Sequence, residues 1–248
     1  MKKPESSAVL VLYNHIDSDE LPRVHLPEAI RKHIDTKSHP RVRMDSERLW
    51  NLFVLLSGKL NLDPEQLSFT GAGRPVCEHG TLSASHSRTM GGFLFSEESC
   101  GLDIEDIQSA ELNPLDSSNP ESGIHKPKTS TDWVKKHRRL MEKSLSIQQV
   151  QEVRSGKRLF EEFWTAKEAL RKMNEKYMDV SLSEFELPDR GLHSVLKDQS
   201  MISVVFNENS SVENVYVWFV ETDFTSLKQV RWNLQKERAD QDYEIEAD

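Results

Sequence analysis

The chain has 248 residues and only two cysteines, Cys77 and Cys100. A secreted chain of this size would ordinarily carry more, in pairs, so a reduced compartment such as the cytoplasm is expected. No stretch approaches the roughly 18 apolar residues that a membrane-spanning helix needs. Met1-Lys2-Lys3-Pro4 starts like a signal peptide. The apolar run after it, Ala8 to Tyr13, is too short for an h-region, and no small-residue cleavage site follows. Positive charge is also short: 32 lysines and arginines against 41 acidic residues leave a formal net charge of −9. Such a chain feels no general pull toward nucleic acid or anionic lipid, so neither partner is expected. An anionic ligand would have to be gripped by a local cluster of cations.

What is there is an ordinary globular balance, with 36% apolar and 29% charged residues. The length suits one large domain or two small ones sharing a core. Ala8–Tyr13 is a continuous β-prone run and predicts a buried strand. Leu26, Ile30 and Ile34 have helical spacing, with Pro27 suited to a first turn. A stronger helix is expected from Asp45 or Ser46, either of which could cap it, with Leu49, Phe53, Leu56 and Leu60 on its apolar face. Strands are expected near Leu82–His86, Met90–Phe95, Gly101–Ile107, Met201–Phe206 and Val215–Val220. Helices are expected from Trp133 to Leu145 and from Arg158 to Tyr177. Residues 108–130 are rich in proline and serine and read as a long exposed loop. The end of the chain reads as an acidic, solvated tail. Each half thus runs strand, helices, strands.

Asp103 and Glu105 are two apart on an expected strand, so they share one face. Two such carboxylates repel unless a cation joins them, and magnesium sits readily on one or two carboxylates plus substrate phosphates. Spacing alone fits a solvent-facing strand with two ordinary acidic residues as well. On a helix, Trp164, Glu168 and Lys172 share a face. Glu168 and Lys172 read either as a surface ion pair or as a third metal ligand beside a phosphate-gripping lysine.

Gly71-Ala-Gly-Arg-Pro75 is a turn carrying one cation, and Leu82-Ser-Ala-Ser-His-Ser87 follows it. Serines around His86 could bind phosphate through short hydrogen bonds, or be an ordinary polar turn. Ser85 and His86 point to opposite faces of a strand, which argues against a nucleophilic dyad. Cys77, His79, His86 and Cys100 raise the possibility of zinc, but their spacing matches no common zinc pattern.

Taken in order, these pieces resemble the 4′-phosphopantetheinyl transferases. Gly73-Arg74-Pro75 is similar to that family's Gly-Lys-Pro turn. Leu82–Ser87 resembles its aromatic-Asn-x-Ser-His-Ser strand. Gly101-Leu-Asp-Ile-Glu105 resembles its Gly-[Ile/Val]-Asp-[Ile/Val]-Glu strand. Phe163-Trp-Thr-Ala-Lys-Glu-Ala-Leu-Arg-Lys172 resembles its Trp-[Ser/Thr/Cys]-x-Lys-Glu-[Ser/Ala]-x-x-Lys helix. The last two are the specific ones, and the match spans about residues 71–172. Two positions depart from the pattern: Arg74 stands for the usual lysine, and Ser83 for the usual asparagine.

The resemblance implies an α+β fold of the monomeric, surfactin-synthetase-activating type. Two similar α/β halves would stand in a pseudo-twofold arrangement with the active site between them. On this chain that implies an N-terminal, coenzyme A-binding half at 1–100 and a C-terminal half at 101–232 with the metal site and carrier binding. The half at 101–232 includes the loop at 108–130, and a tail at 233–248 follows. The implied activity is magnesium-dependent transfer of phosphopantetheine from coenzyme A to a serine of an acyl- or peptidyl-carrier protein, releasing adenosine 3′,5′-bisphosphate. Asp103, Glu105 and Glu168 would hold magnesium. Glu168 would also take the serine proton, and Lys172 would hold the pyrophosphate. Ser85 and His86 would contact a coenzyme A phosphate, Arg74 and Pro75 would shape the adenine side, and Arg48, helped by Arg41 and Arg43, would meet the 3′-phosphate. Two alternatives stay open: a non-catalytic coenzyme A- or carrier-binding module of the same fold, and a zinc-stabilised interaction domain.

Overall fold

The computed structural model describes residues 7–14, 23–111, 128–184, 186–220 and 227–233. The chain is mixed α/β. The first strand, β1 (Ser7–Asn14), leads to helices α1 (Glu28–Asp35) and α2 (Pro40–Ser57). Strands β2 (Ser68–Phe69), β3 (Pro75–Cys77), β4 (Gly80–His86), β5 (Met90–Ser96) and β6 (Cys100–Asp106) follow. A short ladder pairs β7 (Ala110–Glu111) with β8 (Lys128–Thr129). Four helices come next: α3 (Thr131–Lys136), α4 (Arg138–Ser144), α5 (Ile147–Arg154) and α6 (Phe160–Met173). The chain closes with β9 (Leu192–Lys197), β10 (Ser200–Phe206), β11 (Asn214–Val220) and β12 (Leu227–Asn233).

A seven-stranded sheet has the order β12-β11-β1-β5-β4-β3-β2, and a three-stranded sheet the order β6-β10-β9. The run that begins at Ala8 makes β1 a central strand, parallel to β11 and antiparallel to β5. Its alternation serves two cores. Val9, Val11 and Tyr13 pack with Ile30, Trp50 and Phe53 from α1 and α2. Leu10 and Leu12 pack with Leu102, Ile104, Ile202 and Val204 of the small sheet. Strands β11 and β12 come from the C-terminal part of the chain, yet they complete the sheet that β1 begins.

α6 covers the other face of the small sheet, where Ala169, Leu170 and Met173 meet Val205. β6 is that sheet's edge strand, and an unpaired edge exposes backbone donors. Here β4 supplies side-chain partners: the Leu102 N–H donates to the Ser83 hydroxyl at 2.9 Å, and the Ile104 N–H to the Ser85 hydroxyl at 3.2 Å. Two serines thus weld one sheet to the other.

Three expectations need correction. α2 begins at Pro40, not at Asp45 or Ser46, because proline at the first helical position is already set for the helix. Asp45 and Ser46 are accordingly buried inside the helix and cap nothing. The final long helix ends at Met173, and a separate 3-10 turn spans Glu175–Tyr177. The segment after Ile107 is not wholly an exposed loop. Ser109 is fully buried, because Glu161 in the first turn of α6 accepts the Gln108 and Ser109 N–H groups, each at 2.9 Å. Residues 112–127 and the acidic tail beyond Asn233 lie outside the described residues.

Candidate active site

The site grows from the contact between β6 and α6. Period two turns Leu102 and Ile104 toward the large sheet and leaves Asp103 and Glu105 on the side of α6. On α6, Trp164, Glu168 and Lys172 share a face that meets them. The Trp164 Nε1–H donates to Glu105 Oε1 at 3.2 Å. Lys172 Nζ donates to Asp103 Oδ1 at 2.7 Å and to the Ser85 hydroxyl at 2.9 Å. Ser85 in turn donates to Asp103 Oδ1 at 2.9 Å. Arg171 Nη1 reaches Glu168 Oε1 at 3.2 Å. The two specific motifs of the sequence therefore meet in space.

The electrostatics are those of anions held close with little water. Burial, and then the charge of Asp103, pushes the Glu105 carboxyl up to about 7. The same two causes, in the same order, raise Glu168. Asp103 Oδ2 is buried with no hydrogen-bond partner. Buried polar atoms are rarely left so, and each costs about 1–3 kcal/mol. Hard oxygen donors, mutual repulsion and an orphaned buried carboxylate oxygen suit a hard divalent cation such as magnesium. Among the described residues, no three His, Cys, Asp or Glu side chains already stand grouped as a metal site. Lys172 supplies the positive charge on Asp103 instead.

His86 ends β4 beside this cluster. Burial lowers its pKa, Asp45 and Asp103 oppose the shift, and Lys172 and Lys37 add to it, so the ring is neutral at neutral pH. Ser85 lies on the other face of β4, with the carboxylates. Lys37, which precedes α2, carries no motif and was not expected. It is half-buried, and its pKa is lowered by burial and by the charge of Lys172. These two half-buried lysines, whose charges act on each other, supply the local positive charge that a net-negative chain needs to grip an anion.

The remaining cations line α2. Arg41 and Arg48 flank the buried Asp45 at 3.8 and 3.6 Å, whereas Arg43 pairs with Asp35 at the end of α1. Arg74 and the buried Pro75 leave a turn in which Gly73 has φ +83°, a conformation that side chains rarely adopt. A Cβ at Gly73 would also stand 3.3 Å from the His33 ring, which stacks on Phe69 with centroids 4.1 Å apart. Burial and then Lys37 depress His33 to about 4, so this ring too is neutral.

The zinc reading fails on geometry. Cys77 donates its thiol to the Gly80 carbonyl, Cys100 is buried beside the Thr81 carbonyl, and His79 is exposed. No protein-family model matches the chain, and no curated protein matches it. No helix among the described residues is long and apolar enough to cross a membrane.

Proposed function

We propose that the chain is a 4′-phosphopantetheinyl transferase that uses coenzyme A and magnesium to modify a serine of an acyl- or peptidyl-carrier protein. The observation that carries this reading is the meeting of Asp103 and Glu105 with Glu168 and Lys172, around a buried carboxylate oxygen that has no partner. In this reading the two α/β halves are similar and the site lies between them.

Asp103, Glu105 and Glu168 would hold the cation, which supplies charge neutralisation at the pyrophosphate. Such transfers depend on positioning and on stabilising charge as it moves to the leaving phosphate. Lys172 provides a positive charge aimed at the same place, fixed by Ser85 and Asp103. Lys37 adds a second cation beside it. Neutral His86 can donate to a phosphate oxygen or accept a proton. The raised pKa of Glu168 suits a group that takes the proton of the acceptor serine. Arg48 and Arg41, next to Asp45, would meet the 3′-phosphate, and Arg74 and Pro75 the adenine side.

One contact favours the non-catalytic binding module instead: Arg171 gives Glu168 a partner other than a metal ion. The test is to incubate the protein with coenzyme A, magnesium and a panel of apo carrier proteins and to record each carrier's intact mass. The transferase reading expects a phosphopantetheine mass gain that EDTA and Glu168→Ala abolish. Coenzyme A binding with no mass gain on any carrier would favour the binding module.

A further inference from the structure

α6 supplies a donor to each of the three carboxylates. Trp164 donates to Glu105, Lys172 to Asp103 and Arg171 to Glu168. Trp164 and Lys172 belong to the helix pattern that the sequence resembles. Arg171 stands at a position which that pattern leaves open, so the resemblance gives it no role. It meets Glu168 at 3.2 Å, through side chains only 21% and 25% exposed. A pair this sheltered is screened less than an ordinary surface pair.

Arg171 is itself anchored. Its Nε donates to the Tyr177 carbonyl at 3.2 Å, and its Nη2 to the Val180 carbonyl at 2.5 Å. One turn earlier on α6, the buried Lys167 donates to the Leu182 carbonyl at 2.6 Å and to the Ser144 carbonyl at 3.2 Å. Leu182 is buried with Ala169 and Leu170. The segment after α6 is thus strapped back along the helix by two cations that flank Glu168 in sequence. A guanidinium forked between two main-chain carbonyls is fixed in place. Glu168 touches it through one carboxylate oxygen, on a flexible side chain, and is the partner that can turn away. Among the described residues, Asp103, Glu105 and Glu168 do not stand grouped as a metal site. Glu168 is engaged by Arg171 instead.

We propose that Arg171 is a positioning residue that holds Glu168 away from Asp103 and Glu105, and that Glu168 must leave it before the three carboxylates can close on a divalent cation. That a cation belongs there rests on the transferase reading. The restraint lowers cation affinity, as any equilibrium between a competent and an incompetent arrangement does. The opposite role is a brace, in which Arg171 fixes one oxygen of Glu168 and aims the other at the cation. A brace would leave Glu168 already grouped with the other two carboxylates, and it is not. The two roles differ in sign. Removing a restraint tightens metal binding, and removing a brace weakens it.

The test titrates magnesium chloride into the full chain by calorimetry, with coenzyme A present and no carrier protein, so that nothing turns over. Wild type is compared with Arg171→Met, Arg171→Lys, Glu168→Gln and the double variant of Glu168→Gln with Arg171→Met. Arg171→Met is expected to bind magnesium about tenfold more tightly, the effect of losing one hydrogen bond between charged groups. Arg171→Lys keeps the charge but cannot span Glu168 and both carbonyls, so a smaller rise is expected, which separates the contact from charge alone. Glu168→Gln should bind more weakly, and adding Arg171→Met to it should bring little gain. Melting temperature without magnesium reports the fold of each variant. Should Arg171→Met fail to fold, Arg171→Lys decides the question. Affinity equal to or weaker than wild type in the folded Arg171 variants would overturn the proposal, as would a gain of the same size in the double variant. If Glu168→Gln loses magnesium and the Arg171 variants gain none, the proposal falls and the transferase reading stands. If none of these proteins binds magnesium, both fall.

Discussion

A Cβ placed on Gly101 would stand 1.9 Å from the carbonyl oxygen of Ala169. β6 therefore lies against the backbone of α6, and this close approach lets Asp103 reach Lys172 and Glu105 reach Trp164. Gly101→Ala should push strand and helix apart. Overpacking of this kind typically costs about 1–3 kcal/mol, and an obstacle made of backbone puts this case at the upper end. Urea unfolding reads the loss of stability. A variant as stable as wild type would show that the two elements are not held at this distance.

Lys172 and Asp103 form a partly buried pair at 2.7 Å, with the carboxylate far more buried than the amine. Removing one partner leaves the other without compensation in a dry place. A double-mutant cycle with Asp103→Asn and Lys172→Met should return a coupling of about 1 kcal/mol or more. Additive single effects would mean that the pair is not formed in solution.

The Glu105 carboxyl is held up to about 7 against an ordinary glutamate value of 4.5. The folded protein therefore binds more protons than the unfolded chain between these values. Without metal, this group's contribution to stability is present below about pH 4.5 and is lost as pH rises through about 7. Glu105→Gln lacks that loss. Its melting temperature should match wild type near pH 5 and exceed it near pH 8. Magnesium at pH 8 should raise the wild type and leave the variant unmoved. A gap between the two proteins that does not change with pH would contradict the burial of this carboxylate.

Glu161 is buried in the first turn of α6 and accepts the N–H groups of Gln108 and Ser109 as well as the Ser109 hydroxyl. It fixes the point at which the chain leaves β6. Glu161→Ala should cost about 2 kcal/mol or more, since it strands the buried Ser109 N–H and hydroxyl. Thermal melting of the variant tests this, and a wild-type melting temperature would refute it.

Much of this was legible in the letters because it is local. The run at Ala8–Tyr13 follows from continuous β-prone composition, the alternation around Asp103 and the helical spacing of Trp164, Glu168 and Lys172 from periodicity, and all three elements are present. What escaped depends on partners far along the chain. β9 is only half-buried along its whole length and mixes polar with apolar residues, so no alternation marked it. Lys37 stands in a short turn with no motif, and only folding brings it near Lys172. Ser85 read as a phosphate contact, yet its hydroxyl is engaged by Asp103, Lys172 and the Ile104 N–H. Ser83 departs from the resembled pattern, but its hydroxyl still accepts the Leu102 N–H, so a short side chain suffices there. Proline at the first helical position placed the start of α2 at Pro40, ahead of both expected caps, Asp45 and Ser46.

The most direct measurement of the central claim follows both products of one reaction. An apo carrier protein is incubated with the protein, coenzyme A and magnesium. Carrier mass and free adenosine 3′,5′-bisphosphate are then quantified in the same samples over time. The account predicts that the two appear in equal amounts, and that Glu168→Ala and Lys172→Ala each reduce the rate at least about a hundredfold. A mass gain that survives both substitutions unchanged, or no product of either kind with any carrier, would contradict it.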